Sequence, residues 1–204
     1  MSKKEIPHAP AASDKKMRTK DLIYAGAFGA IYLVLVLVVV MASGLIPILY
    51  VISPLTIGIV CGAVYLLCAL KVRKFGAVLI LGALFAAIAC SAAWASMLLA
   101  ILTALGAELV LFLGKYKSKK TFIASFVVFN LNMACPFLLL ATDRDLFLGM
   151  AAGYYGQAHA DALAAVTPSW IYFAIIGLAL AGGLAGGLFG SRLIKKHFEK
   201  AGVV

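Results

Sequence analysis

From position 22 to position 70 the chain carries no Asp, Glu, Lys, Arg or His. A helix needs only about 20 apolar residues to cross a hydrocarbon core about 30 Å thick, so this run is too long for one crossing and must reverse inside itself. Stretches such as 31–40 are apolar on every face, without the alternation of a barrel strand, so the expected fold is an all-α polytopic membrane bundle. Composition agrees. Of 204 residues, 64% are apolar and 13% charged, against roughly half and a quarter in a soluble domain. At about 20 residues per crossing the length accommodates six spans and short connections, leaving no room for a soluble catalytic domain.

Gly44, Pro47, Ser53 and Pro54 supply the expected break in the first run, because proline removes a backbone donor and clashes with the preceding helical turn. Spans are expected near 21–43, 52–70, 75–91, 95–114, 121–141 and 168–191, with an external loop at 142–167 and cytoplasmic tails at 1–20 and 195–204. The first 20 residues read as a retained polar tail, since the apolar run behind them exceeds a signal-peptide core and lacks a small-residue cleavage site. Cys61, Cys68, Cys90 and Cys135 all fall in apolar stretches and read as small hydrophobes.

The formal net charge of +10 would suggest nucleic acid in a soluble protein. Here its distribution explains it. Lys3, Lys4, Lys15, Lys16, Arg18 and Lys20 precede span one; Lys71, Arg73 and Lys74 follow span two; Lys115, Lys117, Lys119 and Lys120 follow span four; Arg192, Lys195, Lys196 and Lys200 follow span six. Of the 18 basic residues only Arg144 falls on the other side. The positive-inside rule makes the basic side cytoplasmic, with both termini inside and the protein in a bacterial plasma membrane. Basic segments beside anionic lipid need no nucleic-acid partner.

Several chemistries lack their residues. No Gly-Lys-Ser/Thr phosphate loop occurs. No histidine lies in a span, and no set of protease or metal ligands stands at depth, so the chain reads as neither an enzyme nor a metal or cofactor holder. Glu108 is the one acidic residue well inside a span, about 9 Å from the end of span four. It suits either pairing with a snorkelling Lys115 or Lys117 or a proton-coupling role.

Small residues at four-residue spacing mark two faces in the inner half: Ala25, Gly26, Gly29 and Ala30 in span one, and Gly182, Gly183, Gly186, Gly187 and Gly190 in span six. They suit packing within the bundle or docking to another membrane subunit. Polar and aromatic residues gather at the outer end. Trp94, Tyr154, Tyr155, Gln157, His159, Asp161 and Trp170 are candidates for substrate binding, with Asn130 from mid-membrane, because aromatic rings stack on flat ligands and a polar group in lipid needs a partner. Tyr50 and Tyr172 read as interfacial belt residues. From Thr142 to Asp145 the sequence resembles a helix-starting capping box, and Leu146, Phe147, Met150 and Tyr154 then follow at helical spacing, as in an external helix that could act as a lid.

These pieces together resemble a known family. Thr19-Lys20-Asp21-Leu22-Ile23, the small-residue motif at 25–30, Lys-Val-Arg-Lys-Phe-Gly at 71–76, Gly-Lys-Tyr-Lys-Ser-Lys-Lys at 114–120, Val166-Thr167-Pro168-Ser169-Trp170 and Lys195-Lys196-His197-Phe198-Glu199-Lys200-Ala201-Gly202 are similar to the substrate-binding S components of energy-coupling factor (ECF) transporters, in the MptD-like, Trep-Strep group. The resemblance spans nearly the whole chain and departs from the group at 90–96. It implies a six-helix subunit that captures a micronutrient outside and docks, through Ala25, Gly26, Gly29 and Ala30, on a transmembrane coupling protein driven by two cytoplasmic ATPases. The substrate could be a vitamin-like heterocycle or a haem-like cofactor, since His159, Met150, Tyr154 and Tyr155 include iron-ligating types. A stand-alone channel or facilitator, or an integral membrane enzyme, are the other readings of six spans.

Overall fold

The computed structural model describes residues 16–198. The expected tails outside that range, with Lys3, Lys4, Lys15 and Lys200, lie outside the described residues. The fold is all helical: α1 (Thr19–Gly44), α2 (Pro47–Val72), α3 (Ala77–Ala89), α4 (Trp94–Leu113), α5 (Lys119–Asn130), α6 (Leu139–Thr142), α7 (Arg144–Tyr155), α8 (Gln157–Val166) and α9 (Ile171–Leu193). Four helices are long and apolar enough to cross a membrane: α1, α2, α4, and α9 with its extension to Lys196. A fifth candidate is a broken segment, Lys119–Ala134 with Pro136–Thr142, bent by 45°. Pro136 stands at that bend, where a missing N–H and ring bulk interrupt the helical ladder.

The expected third span is corrected. α3 has 13 residues, which at about 1.5 Å each reach roughly 20 Å, short of a full hydrocarbon core. The break between the first two helices is also tighter than expected. Pro47 sits at the start of α2, where its missing N–H costs nothing, and only Leu45 and Ile46 intervene. Pro54 lies inside α2 and is buried, packed where Asn130 Nδ2 reaches its carbonyl at 3.2 Å. Neighbouring helices supply such partners inside a bilayer, which is how a mid-helix proline survives there.

α9 lies between α2 and α5. A side chain at Gly182 would place its Cβ 2.7 Å from the Leu55 carbonyl oxygen, one at Gly190 would meet the Ala63 nitrogen at 2.8 Å, and one at Gly186 would collide with the Gly58 carbonyl. On the other face Gly183 and Gly187 meet Val127 and Ile123 of α5. The span-six ladder is therefore consumed by internal packing, and its counterpart is a second small-residue pair, Gly58 and Gly62 of α2. Dispersion between closely apposed backbones replaces the hydrophobic drive that lipid cannot give.

Polar groups inside this bundle are tied across helices. Ser125 Oγ donates to the Ala107 carbonyl at 2.7 Å, so the Tyr65 hydroxyl, 2.5 Å away, donates to Ser125. That chain joins α2, α5 and α4. Asn130 Nδ2 also donates to the Ala179 carbonyl at 2.7 Å, joining α5 to α9 as well as α2. Neither lysine pairs with Glu108 as expected. Its carboxylate accepts from the backbone N–H groups of Val78 (2.9 Å) and Leu79 (3.3 Å) and from the Tyr116 hydroxyl (2.7 Å). α3 is short, so its unpaired N-terminal donors fall at depth instead of in water; Glu108, fully buried on α4, caps them and complements the positive end of the helix dipole. Burial, and then this bond to the carboxylate, hold the Tyr116 phenol well above the ordinary tyrosine range.

Candidate functional site

Tyr50, in the first turn of α2, is half-buried beneath α7. Its ring lies 5.2 Å from Phe137 and 6.4 Å from Phe147, with those two 5.9 Å apart. Three chambers meet at Tyr50. One of about 160 Å³ runs inward past Val36, Ser53, Ile57, Phe85 and Met133. A second, about 90 Å³, lies under the α3–α4 turn beside Cys90, Ser96 and Met150. The third, about 80 Å³, lies under the external helices and is lined by Phe147, Met150, Tyr154, Tyr155, His159 and Leu163.

The external loop is two helices, not one. Asp143, rather than Thr142, caps α7, its Oδ1 accepting from the Leu146 N–H at 3.0 Å. Gly156, at φ +90°, then breaks the chain between α7 and α8 in a conformation that glycine adopts without a Cβ clash. Arg144, the lone basic residue of this end, fastens α7 to the end of α8. Its guanidinium donates to the carbonyls of Ala164 (2.9 Å) and Thr167, which are the free acceptors at a helix C-terminus. Tyr155 closes the cap downward: its ring tip stands where a side chain on the buried Gly44 would be, at the end of α1. On its other side it stacks on His159 with centroids 4.8 Å apart.

Two buried polar atoms in these chambers have no hydrogen-bond partner, Ser96 Oγ and His159 Nε2. Each such atom costs about 1–3 kcal/mol until water or a ligand satisfies it. The arrangement offers aromatic surface, a thioether, and two isolated polar atoms. Such a set suits a small flat ligand held by stacking and one or two hydrogen bonds. Each chamber is below the roughly 300–1,000 Å³ of drug-sized ligand pockets, so a larger guest requires the cap to move.

The structure divides the residues expected to bind substrate. Tyr154, Tyr155 and His159 line the chamber beneath the cap. Gln157 and Asp161 bond to each other at 2.8 Å on the exposed face of α8, outside the chambers. Trp94 and Trp170 are exposed at the starts of α4 and α9, as interfacial anchors are. Asn130 is buried mid-bundle as a tie between helices. Asn132 Oδ1 accepts from Thr103 at 2.7 Å. Of the span-one face, Ala25 and Gly29 are buried in the bundle, Gly29 against Leu81 and Leu84 of α3, while Gly26 faces open space and Ala30 is exposed. Sequence reasoning assigned Tyr50 to an interfacial belt and passed over Ser96. A serine in an otherwise apolar run beside a turn was the available signal.

All four cysteines are buried and unpaired, and no group of three or more His, Cys, Asp or Glu able to hold a metal occurs among the described residues. No curated protein and no solved structure matches the chain. The sequence profile described as hypothetical bacterial integral membrane protein (Trep_Strep) matches residues 19–200, which is nearly the whole chain, and the protein belongs to that family.

Proposed function

We propose that this protein is the substrate-binding S component of an ECF-type importer in the bacterial plasma membrane, taking up a small vitamin-like or cofactor-like micronutrient from outside. The observation that carries the reading is the meeting of three chambers at Tyr50 beneath a helical cap, with Ser96 and His159 unpartnered inside. In this account the chain crosses six times with both termini inside, and α3 is a short crossing whose inner end is completed by Glu108. Tyr155 and Arg144 hold the cap closed; its opening admits the ligand, and Tyr50, Phe137 and Phe147 stack on it. Asn130 sets the spacing of α2, α5 and α9 behind the chamber. The chain performs no covalent chemistry. Uphill import requires ATPase subunits and a transmembrane coupling protein, with α1 as the docking helix: Gly26 and Ala30 face the partner, and Ala25 and Gly29 fix α1 on α3.

Affinity purification of the full chain from its native membrane is the test. Co-recovery of a coupling protein and two ATPases, with uptake dependent on ATP, is the expected result. Uptake of solute into liposomes that contain this chain alone would replace the reading with that of a facilitator. Bulky substitution at Gly26 and Ala30 is expected to abolish uptake while ligand binding persists.

A further inference from the structure

At the end opposite the chambers, four cations from four segments surround one cleft of about 200 Å³: Arg73 at the close of α2, Lys117 in the α4–α5 connection, Lys119 at the start of α5, and Lys195 after α9. Among the described residues none of the four has a carboxylate partner, and no acidic side chain lines the cleft. Nearby, by contrast, Lys74 pairs with Asp21 at 2.8 Å. Gathering like charges is unfavourable without a counter-ion, and the α5 N-terminus adds its own positive end; its capping residue Ser118 makes no side-chain cap bond. The floor is apolar, formed by Leu66, Leu70, Phe122 and Ile194.

A cationic rim over an apolar floor, set between helices that face lipid, matches a molecule with a phosphate at one end and hydrocarbon at the other. We propose that this cleft binds the phosphate headgroup of an anionic phospholipid from the cytoplasmic leaflet, with the acyl chains lying along α2, α5 and α9. A soluble phosphate would be held by the rim and gain nothing from the floor. The site rests on the membrane placement of the chain and stands independently of the transport reading.

Native mass spectrometry of the full chain, extracted from bilayers of phosphatidylcholine with phosphatidylglycerol, tests it. The wild type is expected to retain phosphatidylglycerol in preference to phosphatidylcholine. The double variant Lys117→Gln, Lys195→Gln is expected to retain it roughly thirtyfold less, from about one unit of surface attraction lost per cation. Lys115→Gln with Lys120→Gln removes equal charge from the same side without touching the cleft, and is expected to keep the lipid. Ser191→Glu, which places a carboxylate in the cleft and leaves all four cations, is expected to expel it. Equal loss in both double variants, equal retention of the two lipids, or displacement by excess inorganic phosphate would each overturn the proposal.

Discussion

The contact between α2 and α9 and the outer end under α7 and α8 are built from opposite materials. In the first, Gly58, Gly62, Gly182, Gly186 and Gly190 remove every side chain that could hold the backbones apart, and there is no room to yield. In the second, large rings leave chambers between them, and Ser96 and His159 lack partners. Close packing makes a region stiff, while cavities and unsatisfied atoms mark a region that gains from a guest. The same chain thus holds a fixed frame and a yielding mouth, and the cap joins the two by few bonds.

Substitutions at the frame should therefore cost most. Gly186→Leu drives a side chain into the Gly58 backbone and is expected to destabilise by about 3 kcal/mol or more, read as loss of a monodisperse, cooperatively unfolding species in detergent. Tolerance of leucine there would break the comparison outright. Glu108→Ala uncaps α3 within the bundle; a loss of about 2–3 kcal/mol is expected, with faster amide exchange at Val78 and Leu79. Glu108→Gln, which keeps an acceptor, should lose less. Arg144→Ala should act on the mouth alone: exchange rises through α7 and α8 by the equivalent of about 1–2 kcal/mol while α2 and α9 are unchanged. If α2 and α9 loosen equally, frame and cap are one cooperative unit. Tyr116→Phe removes a single bond to Glu108 and is expected to cost about 1 kcal/mol by chemical unfolding.

The membrane-helix character was legible because long uncharged runs admit no other solvent. Element lengths were less so. In the run from 75 to 114 nothing in composition distinguishes a 13-residue α3 from a full crossing, since the cue is a tertiary one, Glu108 reaching the α3 N-terminus from another helix. The span-six glycines were seen, yet their choice between internal packing and docking depended on Gly58 and Gly62, which are distant in sequence. At the outer end Tyr155 and His159 were found through local clustering, and Tyr50 and Ser96 were not. These last two reach the chambers only because the turns of α1–α2 and α3–α4 come together under α7. Gln157 and Asp161 show the opposite error: nearness in sequence placed them with His159, while helical geometry turned them outward to each other.

The central claim is that the chambers around Tyr50 hold a small molecule. Mass spectrometry of the ligand fraction released from full-length protein purified from its native membrane, compared with the folded Tyr50→Ala and His159→Ala variants, tests it most directly. The account predicts one small conjugated compound at near-stoichiometric amount in the wild type, depleted at least tenfold in Tyr50→Ala from the loss of about 1.4 kcal/mol or more of stacking and burial. Equal recovery from all three proteins, or none from the wild type under conditions of ligand supply, would contradict it.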